Sequence, residues 1–153
     1  MYMQCFLTDT MPLTAPIPLA ASTLTFPLYL SRVQAGFPSP CEDHIEASLS
    51  LDELCIAHPS STYLARIQGD SLRDLGIFEG DIAVVDRSLE PRQGQVVVAV
   101  VNGEFTAKVL MFEGGQPVLR AANEAYPDIR LGEGEALELF GVVTSIVRTG
   151  LGL

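Results

Sequence analysis

Lys108 is the only lysine in a chain of 153 residues, and it stands inside the apolar stretch Gly103-Glu-Phe-Thr-Ala-Lys-Val-Leu-Met-Phe112. Lysines normally lie on wet surfaces, so a solitary one among apolar neighbours suggests an amine kept for its chemistry. Burial disfavours an ammonium and lowers its pKa, leaving a neutral amine that can take a proton. A proton donor is then needed. Gly69-Asp70-Ser71 offers one, because Thr62 to Gln68 reads as a strand ending at Gly69. The serine would stand on a sharp turn, with backbone N–H groups near Asp70 and Ser71 turned toward a bound carbonyl. Gly-Asp-Ser is also ordinary loop composition, and an ordinary turn serine is the competing reading.

The elements that must position these groups follow from pattern. Residues 95–101 and 104–112 are strand-like runs separated by Asn102-Gly103, a dipeptide that favours a two-residue hairpin turn. The register then puts Val101 opposite Glu104, Ala99 opposite Thr106 and Val97 opposite Lys108. Opposed residues of an antiparallel pair share a face. Lys108 therefore sits among Val97, Ala99 and Leu110, with the Thr106 hydroxyl on the same side. In the alternative, this face meets solvent and Lys108 pairs with Glu104. Further strand-like runs at 62–68, 81–86, 117–121 and 137–148 indicate a mostly β domain. One short helix is expected at 51–57, where Ser50-Leu-Asp-Glu53 has the spacing of a capping box.

From about Gly36 to about Arg148 the chain resembles the self-cleaving Ser-Lys peptidases of the LexA and UmuD type, the UmuD kind above all. The resemblance is carried by Phe37-Pro-Ser-Pro40, His58-Pro-Ser60, Gly69-Asp-Ser71, Gly80-Asp81 with Ile82-Ala-Val-Val85 and Asp86, Gly103-Glu-Phe-Thr106 with Lys108, Asn123 with Ala125-Tyr126, and Phe140-Gly-Val-Val143. It implies a LexA/UmuD-like β-rich domain. In it Ser71 is the nucleophile, Lys108 the general base and Thr106 the hydroxyl that orients the lysine. It further implies cleavage between Ala35 and Gly36, in Gln34-Ala-Gly-Phe-Pro38. The product would be an SOS-response accessory subunit of an error-prone translesion polymerase of the Y family, UmuC-like. The protein would be a homodimer, with cleavage stimulated by the RecA filament on single-stranded DNA. Two departures, Leu72 where a methionine usually follows the serine and Gln68 before Gly69, keep a second hypothesis open: a non-cleaving dimeric module that regulates a polymerase.

Domain organisation is expected to be an arm, 1–35, followed by a peptidase-like, polymerase-binding domain, 36–153. The arm carries only Asp9 and Arg32 as charges and has prolines at 12, 16, 18 and 27. Those prolines argue against a membrane-spanning helix, and the lack of basic residues before the apolar part argues against a secretory signal. An extended segment that covers apolar surface of the domain is expected. Net charge is −10, from 19 acidic and 9 basic side chains. Phosphate would repel such a surface, so direct nucleic-acid binding is not expected, and a LexA-like repressor would need an added DNA-binding module. A signal-peptidase-like enzyme would need a membrane anchor. Cys5, Cys41 and Cys55 form no CxxC pair and point to reduced thiols and a cytoplasmic setting. His44 and His58 have no metal-site spacing, and no metal or cofactor is expected.

Overall fold

A computed structural model describes residues 24–29, 45–132, 134–135 and 137–151. These fall into two compact units, one holding 24–29 and 45–57, the other 58–151. The cleavage site expected at Ala35-Gly36, His44, Cys5, Cys41 and most of the arm lie outside the described residues.

In the smaller unit, β1 (Phe26–Tyr29) and β2 (Ile45–Leu49) form a two-stranded antiparallel sheet, with Phe26 opposite Leu49 and an irregularity at Leu28/Tyr29. Pro27 lacks an N–H and is tolerated because a two-stranded sheet is all edge. Neither strand carries a long alternating pattern, so neither is marked as a strand by its sequence. Helix α1 (Leu51–Cys55) follows and stops short of the expected residue 57, three residues before His58, which Pro59 restricts. The expected capping box does not form: Ser50 has extended dihedrals but its side chain makes no cap hydrogen bond. Its carbonyl accepts the Leu54 N–H at 3.0 Å. Asp52 and Glu53 still favour the first turn through the helix dipole.

The larger unit is a mostly β domain, as expected. Its strands are β3 (Thr62–Arg66), β4 (Ile82–Asp86), β5 (Val96–Val101), β6 (Glu104–Glu113), β7 (Gln116–Arg120), β8 (Ile129–Arg130) and β9 (Leu137–Val147). They form one antiparallel sheet in the order β3-β4-β9-β5-β6-β7-β8. The β5-β6 register is the one that Asn102-Gly103 dictates, with Val97 opposite Lys108 and Ala99 opposite Thr106. Both turn residues have positive φ, 50° at Asn102 and 81° at Gly103.

Strand β5 is apolar on both sides because both faces of the sheet are covered there. Val98 joins a cluster with Ile67, Leu72, Ile77, Ala83, Val85 and Ala107, whereas Val97 and Ala99 join Leu110, Leu119 and Val142. Strand β9 threads between β4 and β5 and carries two irregularities: Phe140 falls between the partners of Val98 and Ala99, and Thr144 between those of Val84 and Val85. Such bulges bend a long strand. Gly141 lies beside one of them, where an added Cβ would stand 2.7 Å from Val85 Cγ1 and 2.9 Å from the Asp86 carbonyl oxygen.

Candidate active site

Lys108 sits mid-strand in β6 and is 4 % exposed, so the solvated alternative does not describe it. Its Nζ lies 3.0 Å from Ser71 Oγ, 3.0 Å from Thr106 Oγ1 and 3.2 Å from the Ala107 carbonyl oxygen. All three are uncharged oxygens, and no ion pair to Lys108 occurs among the described residues. Glu104, the carboxylate of the alternative pairing, is exposed beside the turn. With nothing to repay the lost hydration, burial pushes the Lys108 ammonium pKa below the ordinary lysine value. A charged Nζ would donate to all three oxygens. A neutral one donates to Thr106 and Ala107 and keeps its lone pair for the Ser71 hydroxyl proton.

Ser71 arrives from outside the sheet. After β3 the chain turns at Gly69, φ 75°, a conformation that glycine adopts without steric cost. Arg73 N–H closes on the Asp70 carbonyl at 3.1 Å, and a single 3₁₀ turn, Arg73–Leu75, follows. Ser71 is 1 % exposed. Leu72, the departure from the family's methionine, is buried in the core cluster with Ile67 and Ile77 and pegs the turn to the sheet. An apolar side chain serves there, and the reacting atoms are untouched.

Two side chains that had been given no role also hold this turn. Asn123 donates from Nδ2 to the Asp70 carbonyl at 3.0 Å, and the Tyr126 hydroxyl donates to the Asp70 carboxylate at 2.6 Å. The local signal was visible, since Asn123 Oδ1 accepts Ala125 N–H in an Asx turn. Its target 53 residues away was not. A cavity of about 320 Å³ opens beside Lys108, lined among others by Val101, Phe105, Thr106, Tyr126 and Ile129. His58 lies apart from these groups, its Nδ1 2.6 Å from the buried Asp86 carboxylate. Among the described residues no cluster suited to a metal ion occurs, and no helix is long and apolar enough to cross a membrane.

The buried Ser71 and Lys108 side chains thus meet beside an antiparallel sheet, with the cavity opening at Lys108 and Thr106, an arrangement able to pass a serine proton to an amine. The family model described as Peptidase S24-like matches residues 27–144. Protein MucA of Salmonella typhimurium is 41 % identical over 126 residues, 82 % of this chain and 86 % of that one. Protein SamA of Salmonella typhimurium strain LT2 is 42 % identical over 123 residues, 80 % of this chain and 85 % of its own length. The LexA repressor of Shewanella piezotolerans is 36 % identical over 122 residues, 79 % of this chain but only 59 % of the repressor. The chain belongs to the Peptidase S24-like family, as a UmuD-like member of its LexA/UmuD group.

Proposed function

We propose that this protein is a self-cleaving serine peptidase in which neutral Lys108 takes the Ser71 proton and Ser71 Oγ attacks the Ala35 carbonyl. The backbone N–H groups around Asp70 and Ser71 receive the oxyanion. The Lys108 ammonium then gives its proton to the departing Gly36 amine, and water hydrolyses the Ala35 ester. Thr106 keeps the amine aimed at the serine, and Gly69 sets the turn. The single observation that carries this reading is the 3.0 Å separation of Lys108 Nζ and Ser71 Oγ, both buried and, among the described residues, with no carboxylate paired to the amine.

Cleavage separates an arm, residues 1–35, from the domain, 36–153. Membership of the UmuD-like group supports the wider role. The cleaved form is a cytoplasmic, homodimeric accessory subunit of a Y-family translesion polymerase in the SOS response, and the RecA filament on single-stranded DNA stimulates the cut. The acidic surface, with net charge −10, suits a partner-binding subunit better than one that grips DNA itself. Intact-mass spectrometry tests the reaction. Purified protein held at raised pH, or with RecA, nucleotide and single-stranded DNA, yields the fragment beginning at Gly36. Ser71→Ala and Lys108→Ala stay whole, a loss of at least about a thousandfold in rate. Equal cleavage in the variants, or an intact wild type under both conditions, contradicts the reading and leaves the non-cleaving module.

A further inference from the structure

A nucleophile on a turn outside the sheet needs its peptide planes fixed as firmly as its hydroxyl, because an oxyanion is held by N–H groups whose direction is already set. The segment that follows β7 does this fixing. The Asp70 carbonyl accepts from Asn123 Nδ2 at 3.0 Å and from Arg73 N–H at 3.1 Å. A trans peptide is planar with its C=O and N–H antiparallel, so holding the Asp70 carbonyl aims the Ser71 N–H the opposite way.

Asn123 is 3 % exposed and is itself oriented from its far side. Its Oδ1 accepts Ala125 N–H at 3.0 Å and the Arg73 guanidinium at 3.3 Å, which leaves Nδ2 as the donor toward Asp70. Three residues on, the half-buried Tyr126 hydroxyl holds the Asp70 carboxylate at 2.6 Å. Asp74 N–H reaches back to the Ala122 carbonyl at 2.8 Å. One stretch of five residues thus grips Asp70 by carbonyl and carboxylate, and the next turn by its backbone.

We propose that Asn123 and Tyr126 are positioning residues for self-cleavage, fixing the Asp70-Ser71 peptide plane whose N–H receives the oxyanion. This rests on the Ser71-Lys108 reading. Neither side chain hydrogen-bonds to Lys108. Their loss therefore lowers the rate without changing the protonation of the base. The hydrogen bond to Asp70 also raises the Tyr126 pKa, against a smaller opposing effect of Arg73. The phenol thus stays a donor in the alkaline range where self-cleavage is followed.

The test is the first-order rate of self-cleavage against pH for wild type, Asn123→Ala, Tyr126→Phe and the double variant, with a thermal melt of each. In parallel, Ser71 is labelled with a small fluorophosphonate, whose phosphonyl oxygen needs the same N–H groups. A fully lost oxyanion donor costs about a hundredfold or more. The plateau rate should fall at least about tenfold in Asn123→Ala and severalfold in Tyr126→Phe, and labelling should slow in step. The pH midpoint should stay in place, and the double variant should lose less than the product of the singles because both act on Asp70. If Asn123→Ala melts below the assay temperature, Tyr126→Phe, which removes one oxygen from a half-buried ring, decides. Wild-type plateaus in both variants, while Ser71→Ala and Lys108→Ala are dead, overturn the inference and spare the reading beneath it. A midpoint that moves with the rate also overturns it, since the lysine itself has then been displaced. A wild type that never cleaves removes both.

Discussion

Lys108 costs stability in return for its chemistry. Replacing it by methionine keeps the volume and removes a buried amine that gives up hydration, and at neutral pH affinity for its proton, on folding, so Lys108→Met should lose cleavage and unfold at higher denaturant concentration at neutral pH. The sign of the pH dependence follows from linkage. Burial lowers the folded-state pKa, so between that value and the unfolded value of about 10.4 the unfolded chain binds more protons. Wild-type stability rises with pH across that window, and the advantage of Lys108→Met narrows. Urea melts at three pH values check this, and an advantage that widens toward alkaline pH contradicts it. The lysine was legible at this scale because its rarity and apolar neighbours are facts of the sequence. Its contact with Ser71 was not, because the serine turn leaves the sheet. That turn is placed by packing at Leu72 and by hydrogen bonds from Asn123 and Tyr126, which no local pattern reports.

The β5-β6 hairpin was readable from Asn102-Gly103, since the turn demands positive φ at both positions and a two-residue loop leaves one register. Strand β9 was readable as a strand but not as a bent one. Its bulges answer to neighbours on both sides, β4 and β5, and Gly141 gives no signal until those neighbours are known. Gly141→Ala should cost about 1–3 kcal/mol, because the nearest obstacles include backbone and a buried valine. The urea midpoint should fall with its slope unchanged, whereas an unaltered midpoint would mean that β4 and β9 can part at no cost. Strand β8, only two residues long, and the missing Ser50 cap show the opposite limit. Short elements are set by what they dock on, and Ser50 Oγ, though buried, hydrogen-bonds to nothing among the described residues, for which the structure offers no reason.

Across the whole larger unit, two buried carboxylates tie distant segments together. The Arg148 guanidinium holds the Asp81 pKa down, at 2.6 Å and 2.5 Å, against the opposing effect of burial. Burial pushes Asp86 up, but hydrogen bonds from Ser88, His58 and Ser61 outweigh it and hold the carboxyl well below the usual range. Both folded-state values are depressed. Their contribution is therefore present above the unfolded carboxylate value of about 3.9 and lost as pH falls through that region and below. Asp86→Asn should cost about 2 kcal/mol at pH 7, and its deficit should shrink in acid, which melts from pH 7 to pH 3 would reveal. Composition, finally, makes the central claim unusually easy to test. With one lysine in the chain, protein labelled with ¹³C at lysine Cε gives a single lysine signal, and Ser71→Ala keeps the sample whole during titration. The account predicts that this signal titrates clearly below the ordinary lysine value; a midpoint at or above that value would mean a charged amine that cannot take the serine's proton.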